Sequence, residues 1–308
     1  MTHPRELSLP AADGTPLHVA DWPAGSALGD GIVLMHGLGE HCGRYAQVAR
    51  FFNDCGFSVR AYDHRGHGRS GGARGDVPDA ATLMQDAKIA VEDFAQNLAA
   101  PPLLLGHSMG GLFAACYATR RLSPLRGLIL SSPALRIRLA GAQKLLLQVL
   151  GAIAPGFGIP NGLESRYLSH RQAVVDAYDN DPLVHARISA RLLRAMLDAI
   201  EFVQEHAPSL SVKTLLLVAG DDRLVDAAGS DALFNKLAPG VGTMRTYPGF
   251  YHEIFNEVEA SRVFDDIRAW LRELPASERD RNQSAQETMP PAGARPVRNL
   301  FTGCDASS

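Results

Sequence analysis

The sequence predicts an α/β fold with a mostly parallel, doubly wound sheet. Most of its short apolar runs are continuous rather than alternating, as expected for strands that helices cover on both faces. These predicted strands span 31–36, 57–62, 102–106, 127–132, 213–219 and 242–247. Helical patterns lie between and after them, at 79–99, 108–122, 229–238 and 258–274. Strands that alternate with helices in this way indicate a doubly wound sheet.

Composition excludes several classes of protein. The net charge of −3 leaves no basic surface of the kind that binds nucleic acid, so no nucleic-acid partner is expected. The first 14 residues contain no apolar run, which argues against a signal peptide. No stretch approaches the roughly 18 apolar residues of a membrane span. The four cysteines, at 42, 55, 116 and 304, show no metal spacing, so we predict free, buried thiols and a cytoplasmic location.

Residues 134–210 interrupt the alternation, and no strand is predicted within them. Ser189 is placed to cap a helix with one apolar face, formed by Leu193, Met196, Leu197, Ile200 and Val203. We predict a helical cap over 134–210, inserted into a core of residues 1–133 and 211–274. The alternative is that this segment forms ordinary core helices. Residues 275–308 are polar, contain prolines and lack periodicity, which predicts a disordered tail.

The sharpest motif is Gly106-His107-Ser108-Met109-Gly110, which fits the nucleophile-elbow pattern G-x-S-x-G. A serine on a tight turn between a strand and a helix needs small neighbours, so that its hydroxyl projects into the site. The motif follows the predicted strand 102–106 and opens an apolar helix, which is the context that the pattern requires. Ser108 is therefore the predicted nucleophile, and the alternative is a serine that only caps the helix.

Acyl transfer also requires N–H donors for the anion of the tetrahedral intermediate. On folds with a nucleophile elbow, one donor is the amide after the nucleophile, here Met109. The other comes from a loop after an earlier strand, and here we predict Leu38 within His36-Gly37-Leu38-Gly39. The alternative is that these glycines form a simple turn.

The base and acid should follow the serine in the chain order serine, acid, histidine. Of the eleven histidines, only His252 follows the helix at 229–238, so it is the predicted base. The acid is expected just after the strand at 213–219, where Asp221, Asp222 and Asp226 are available. Position alone leaves the choice among these three open.

Two other patterns suggest ligands that we do not expect. Residues 66–71 fit G-x-G-x-x-G, but the glycine-rich segment that follows cannot open the helix that a dinucleotide site needs. The pairs His36/His41 and His64/His67 lack HExxH and a nearby cysteine ligand set. We therefore predict no cofactor and no metal.

With these residues assembled, the chain resembles the monoglyceride lipase and lysophospholipase group of α/β-hydrolases over roughly residues 10–274. The matching stretches are HGLGEHCGRY (36–45), YDHRGHGRSGG (62–72), GHSMGG (106–111), YDNDPL (178–183), GDDRLVD (220–226) and YHEIFNE (251–257). The resemblance implies an α/β-hydrolase fold with a helical cap. It also implies that Asp222 is the acid, that Leu38 and Met109 form the oxyanion hole, and that Glu40 and Tyr178 make polar contacts to substrate.

The predicted function is hydrolysis of single-chain lipid esters through an acyl-enzyme, with monoacylglycerol and lysophospholipid both left open. One alternative is a peptidase similar to the proline iminopeptidases, although the Glu40-His41 pair argues for the lipase-like branch. Another is a non-catalytic ligand-binding protein of this fold. The apolar stretch 145–153 predicts transient contact with the inner membrane surface through the cap, and the alternative is that its leucines face the core. The sequence does not indicate the oligomeric state.

Overall fold

The computed structural model describes residues 3–25, 29–137 and 141–274, and the predicted tail 275–308 lies outside them. All described residues belong to one compact unit within Met1–Pro275. Ten strands occur among them: β1 (Arg5–Pro10), β2 (Pro16–Trp22), β3 (Asp30–Met35), β4 (Phe57–Tyr62), β5 (Leu103–His107), β6 (Gly127–Ser131), β7 (Gly158–Pro160), β8 (Arg187–Ser189), β9 (Thr214–Ala219) and β10 (Gly242–Tyr247).

Eight of these strands form one sheet across the described chain, in the order β1-β2-β4-β3-β5-β6-β9-β10. The strands from β4 to β10 in that order are parallel, while β1 and β2 run antiparallel at one edge. The chain proceeds from β3 to β4 on one side and then crosses to β5 on the other. This makes the carboxyl ends of β3 and β5 a topological switch point, where ligands bind in open α/β sheets.

Helices cover both faces of the sheet. Eight α-helices lie in the described residues: α1 (Ala46–Asp54), α2 (Ala80–Ala95), α3 (Met109–Thr119), α4 (Gly141–Ile153), α5 (Gln172–Asp179), α6 (Ala190–His206), α7 (Ala228–Phe234) and α8 (Ala260–Glu273). One core lies between the sheet and α2, α3 and α6, and the other between the sheet and α1 and α8. The central strands β5, β6 and β9 are buried along their whole length, which is why their sequences are continuously apolar.

The structure confirms the six predicted strands and the four predicted helices, with ends shifted by a few residues. The antiparallel pair β1–β2 and helix α1 were not predicted. Polar and apolar residues alternate in β1 from Glu6 to Leu9 and in most of β2, as in antiparallel strands with one face toward solvent. The central parallel strands β5, β6 and β9 show instead the continuous apolar runs on which the prediction depended.

The prediction of no strand within 134–210 was wrong. Strands β7 and β8 form a two-stranded antiparallel sheet there, with Gly158 opposite Ser189. Each strand has only three residues, too few to show an alternating pattern. The predicted helix cap is confirmed, since the Ser189 side chain accepts a hydrogen bond from the Leu192 amide and begins α6. The division of the unit into core and cap stays a prediction.

The predicted free thiols are confirmed for Cys42 and Cys116, which are both unpaired and buried. Cys55 is also unpaired but partly exposed. Cys304 lies outside the described residues.

Candidate active site

Ser108 lies on a strained turn between β5 and α3. Its backbone has φ of 54° and ψ of −119°, in the region that favours glycine and costs energy for any other residue. The turn is held by its backbone, because the Ser108 amide donates to Ser131 O at 3.0 Å and its carbonyl accepts from Ala134 at 3.0 Å. The structure therefore has the geometry that the G-x-S-x-G motif predicts.

The glycines of this motif fill places where no side chain fits. A Cβ on Gly106 would lie 2.3 Å from the carbonyl oxygen of Gly110. A Cβ on Gly110 would lie 2.2 Å from the carbonyl oxygen of Met35, at the end of β3. Because these neighbours are backbone atoms, they cannot move aside. The glycines allow α3 to start directly against the adjacent strand, which brings Ser108 next to the loop after β3.

The structure brings His252 and Asp222 together. His252 Nδ1 lies 2.7 Å from Asp222 Oδ2, and both side chains are buried. The other oxygen, Asp222 Oδ1, accepts backbone hydrogen bonds from Leu224 at 2.9 Å and Val225 at 3.0 Å. The remaining two candidate acids lie elsewhere. Asp221 pairs with Arg223 near the surface, and Asp226 accepts from the Ala228 amide at the start of α7.

The protonation states of this pair follow from their contact. Burial disfavours a charged imidazole, yet the Asp222 carboxylate and its hydrogen bond raise the pKa of His252 above 6.5. Burial also opposes ionisation of Asp222, but His252 and the two backbone amides lower the pKa of that carboxyl group. A carboxylate can only accept, so His252 Nδ1 carries the proton and Nε2 is left to act as a base.

His252 packs against His107, the residue before Ser108, with ring centroids 4.7 Å apart. Burial, followed by the charge of His252, lowers the pKa of His107 to about 3, so this imidazole is neutral. Among the described residues, no direct hydrogen bond joins the Ser108 hydroxyl to His252. Catalytic hydrogen bonds are often long without substrate and tighten in the bound complex.

Leu38, Ser108 and Met109 line one cavity of about 280 Å³. In the part of the chain that the structure describes, the Leu38 and Met109 amides donate no hydrogen bond to protein acceptors. They are therefore available to a bound anion. Aliphatic side chains form most of the remaining wall, including Ile137, Leu147, Leu150, Ile159, Leu193 and Met196. These side chains belong to the predicted cap, so the cavity lies between residues 134–210 and Ser108.

Glu40 and Tyr178 do not line this cavity. Glu40 is only 4% exposed, and its carboxylate binds the Gly37 amide, the Tyr45 hydroxyl and the Arg44 guanidinium. The Tyr178 ring lies against Arg44, with the guanidinium carbon 4.8 Å from the ring centroid. The Glu40 carboxylate is thus occupied by protein partners, and substrate contact by either residue stays a prediction.

Two motifs that are far apart in the sequence meet in space. His41 Nε2 lies 2.8 Å from Asp181 Oδ2, and Arg44 contacts Tyr178, so HGLGEHCGRY binds YDNDPL. Arg44 also donates to both carboxylate oxygens of Glu253, which follows His252 in the chain, at 2.6 and 2.9 Å. Arg44 and Glu253 were not predicted as site residues. Their only signal in the sequence was that both lie inside family motifs.

Two histidines near the site, His36 and His64, pack against each other. The ring centroids of His36 and His64 are 4.5 Å apart, and burial lowers the pKa of both. Within the described residues, one group of metal-ligating types has ligand atoms within 4.8 Å of one another, namely His18, Cys42 and Asp63. Both Asp63 oxygens already accept backbone hydrogen bonds, from Cys42 and Arg69. The absence of a metal stays a prediction.

Comparison with known proteins identifies the family. A model of the family described as serine aminopeptidase, S33, matches residues 30–259. The chain belongs to this family. It is similar to a monoacylglycerol lipase of Mycolicibacterium smegmatis, at 37% identity over 78% of this chain and 87% of the relative. It is also similar to human monoglyceride lipase, at 33% identity over 86% of this chain and 90% of the relative. Phospholipase YtpA of Bacillus subtilis is 35% identical over 78% of this chain and 93% of the relative.

Solved structures of similar proteins have the same fold as this chain. A monoacylglycerol lipase from Paleococcus ferrophilus matches with a TM-score of 0.75 and 35% identity, over 83% of this chain and 98% of that chain. A monoglyceride lipase from Saccharomyces cerevisiae, crystallised with a substrate analogue, matches with a TM-score of 0.80. At 21% identity, over 90% of this chain and 97% of that chain, the second match supports the fold alone. The predicted α/β-hydrolase fold and the predicted serine hydrolase family are confirmed.

Proposed function

We propose that this hydrolase cleaves the ester bond of single-chain lipids, with monoacylglycerol as the preferred class of substrate. The observation that carries the proposal is the aliphatic cavity that holds Ser108 on its wall. Each buried methylene of an acyl chain contributes about 0.8 kcal/mol, so such a wall favours long acyl chains. Relatives named monoacylglycerol lipase and phospholipase support the substrate class.

The proposed reaction assigns one role to each residue. Ser108 Oγ attacks the ester carbonyl while His252 Nε2 takes its proton, and Asp222 stabilises the imidazolium. The Leu38 and Met109 amides stabilise the oxyanion of the tetrahedral intermediate. Collapse of that intermediate breaks the ester bond, and His252 returns the proton to the departing alcohol. Water, activated by His252, then hydrolyses the acyl-enzyme and releases the fatty acid.

A substrate panel tests this proposal directly. The purified protein would receive 1-monooleoylglycerol, lysophosphatidylcholine, p-nitrophenyl acetate, p-nitrophenyl laurate and an aminoacyl-p-nitroanilide. We expect the highest kcat/KM on the monoacylglycerol, a preference for laurate over acetate, and no turnover by Ser108→Ala. Cleavage of the anilide in preference to every ester would overturn the proposal in favour of a peptidase. No turnover of any of the five by a folded wild-type protein would favour a ligand-binding protein.

We further propose that residues 134–210 act as a cap that meets the lipid surface. None of the helices in the described residues is long and apolar enough to cross a membrane. In α4, however, Leu147 and Leu150 line the cavity, while Val149 and Ile153 are 46% and 76% exposed. Phe157, just beyond the helix, is 62% exposed. Val149 and Ile153 are four residues apart within α4, which places them on one face of that helix. The side chains at 142–146 and 148 lie outside the described ones.

Serine substitutions at Val149 and Ile153 test this surface. The double variant should lose several-fold in turnover of micellar monoacylglycerol while its rate on monomeric p-nitrophenyl acetate is unchanged. Val258, which is 73% exposed and lies outside the cap, provides a matched control as Val258→Ser. Equal rates of the double variant and the control on micelles would exclude this surface as the point of contact. The predicted peripheral location at the inner membrane depends on the same result.

A further inference from the structure

Both the carbonyl and the amide of Gly37, in the loop after β3, are hydrogen-bonded to side chains. The His64 amide donates to His36 Nε2 at 3.0 Å, so that nitrogen carries no proton. His36 Nδ1 therefore carries the proton and donates it to the Gly37 carbonyl at 2.7 Å. On the other side, the Gly37 amide donates to Glu40 Oε1 at 2.6 Å.

These two contacts fix the direction of the Leu38 amide. The Gly37 carbonyl and the Leu38 N–H belong to one planar trans peptide, in which they point in opposite directions. Gly37 packs closely against Glu40 and Ser108, because a Cβ there would lie 2.8 Å from Glu40 Oε1 and 3.3 Å from Ser108 Cβ. The peptide that carries a proposed oxyanion donor is thus held next to the nucleophile by side chains that do not reach the cavity.

Glu40 is itself firmly anchored. Its Oε1 also accepts from the Tyr45 hydroxyl at 2.6 Å, and its Oε2 accepts from Arg44 at 2.7 Å. Burial opposes ionisation, yet the charge of Arg44 and the hydrogen bond from Tyr45 hold the pKa of Glu40 down at about 2. Arg44 continues to Glu253, whose own amide is beside His252 in the chain. One chain of contacts therefore connects the loop of the oxyanion donor to the loop of the base.

We propose that Glu40 is a positioning residue for the hydrolytic reaction. Its carboxylate, anchored by Arg44 and Tyr45, holds the Gly37 backbone so that the Leu38 amide is directed at the developing oxyanion before substrate binds. The inference rests on the proposed role of Leu38 and differs from a contact between Glu40 and the polar end of the substrate. A substrate contact acts on binding of one head group, whereas positioning acts on the transition state of every ester.

Two substitutions and two substrates separate these roles. Removal of one oxyanion donor costs about 10²- to 10³-fold in kcat, so Glu40→Ala should lower kcat by about 10²-fold. The loss should be equal on 1-monooleoylglycerol and on p-nitrophenyl acetate, which has no glycerol group, and KM should change little. Glu40→Gln keeps only one acceptor oxygen, which can face either Gly37 or Arg44. It should therefore recover part of the activity, with a loss of about 10-fold.

A matched control and a transition-state analogue complete the test. Asp21 also accepts two hydrogen bonds from a buried arginine, Arg60, but at the antiparallel edge of the sheet. Asp21→Ala should therefore lower the thermal midpoint without lowering kcat. A trifluoromethyl ketone forms an oxyanion with Ser108, so its affinity should fall in each Glu40 variant by the same factor as kcat/KM.

Three results would overturn the proposal. They are an unchanged kcat of Glu40→Ala on p-nitrophenyl acetate, a rise in KM for the monoacylglycerol alone, or an equal loss of kcat in Asp21→Ala. If Glu40→Ala does not fold, Glu40→Gln decides by the same comparison of substrates. A preference of the wild type for another ester would overturn the proposed lipid substrate. The predicted ratio of kcat between each Glu40 variant and the wild type would still apply to that ester.

Discussion

Replacement of Asp222 by asparagine probes the link between the local geometry and the proposed chemistry. Asp222 Oδ1 accepts from two backbone amides, at 2.9 and 3.0 Å, while Oδ2 accepts from His252 Nδ1 at 2.7 Å. Asparagine has one acceptor oxygen, which the two backbone donors will bind. Its NH₂ group then faces His252 Nδ1 and forces that nitrogen to become the acceptor. The ring proton moves to Nε2, where it blocks removal of the Ser108 proton.

The expected loss of activity is large because His252 loses its catalytic tautomer, although the packing of the variant is unchanged. In serine hydrolases of this kind, an acid-to-amide change lowers kcat about 10⁴-fold. Each tenfold change in rate corresponds to about 1.36 kcal/mol, so the loss is about 5 kcal/mol of transition-state stabilisation. The cost in folding stability should be smaller, because a hydrogen bond to a charged group contributes about 1.5–3 kcal/mol. The variant should therefore stay folded.

Kinetics on p-nitrophenyl laurate, together with thermal unfolding, would measure both quantities. Asp221→Asn and Asp226→Asn are matched controls from the same loop, and each should lower kcat less than about tenfold. Their carboxylates bind Arg223 and the Ala228 amide rather than His252. A loss below tenfold in Asp222→Asn, or a crippling loss in Asp226→Asn, would refute the assignment of the acid.

Three further predictions follow from the same geometry. Because Asp222 raises the pKa of His252 above 6.5 and the base must be neutral, kcat/KM should fall as the pH drops through that raised pKa. In Asp222→Asn this acid limb should shift to lower pH, and an unshifted limb would exclude His252 as its source. Gly110→Ala places a Cβ 2.2 Å from Met35 O and should lower the free energy of unfolding by about 2 kcal/mol or more. Urea unfolding measures this loss, and an unchanged midpoint would contradict the prediction. Leu150→Trp, which narrows the cavity, should lower kcat/KM on laurate far more than on acetate, and equal losses would place the acyl chain elsewhere.

Local steric constraints explain why the sequence predicted the turn at Ser108. The glycines at 106 and 110 are required by backbone contacts within a few residues or with the adjacent strand. A strict steric need of this kind leaves a strict pattern in the sequence. The buried strands left an equally clear pattern, because helices cover both of their faces.

Long-range pairs left no such pattern. Arg44 bridges Glu40 and Glu253, and Glu253 lies 209 positions beyond Arg44 in the chain. Nothing in the spacing of these residues shows the contact. For the same reason, the choice among Asp221, Asp222 and Asp226 stayed open until the family resemblance favoured Asp222. The short strands β7 and β8 were missed because three residues per strand give no periodicity. Their pairing depends on the fold of the whole segment between β6 and β9.

The central claim is that Ser108 is the nucleophile of a serine hydrolase. Incubation with a fluorophosphonate, followed by intact-mass and peptide mass spectrometry, measures this most directly. We predict one adduct per chain, on the peptide that contains Ser108, and no adduct in Ser108→Ala. Prior incubation with 1-monooleoylglycerol should slow the labelling. A single adduct on another residue, or labelling that persists in Ser108→Ala, would contradict the account.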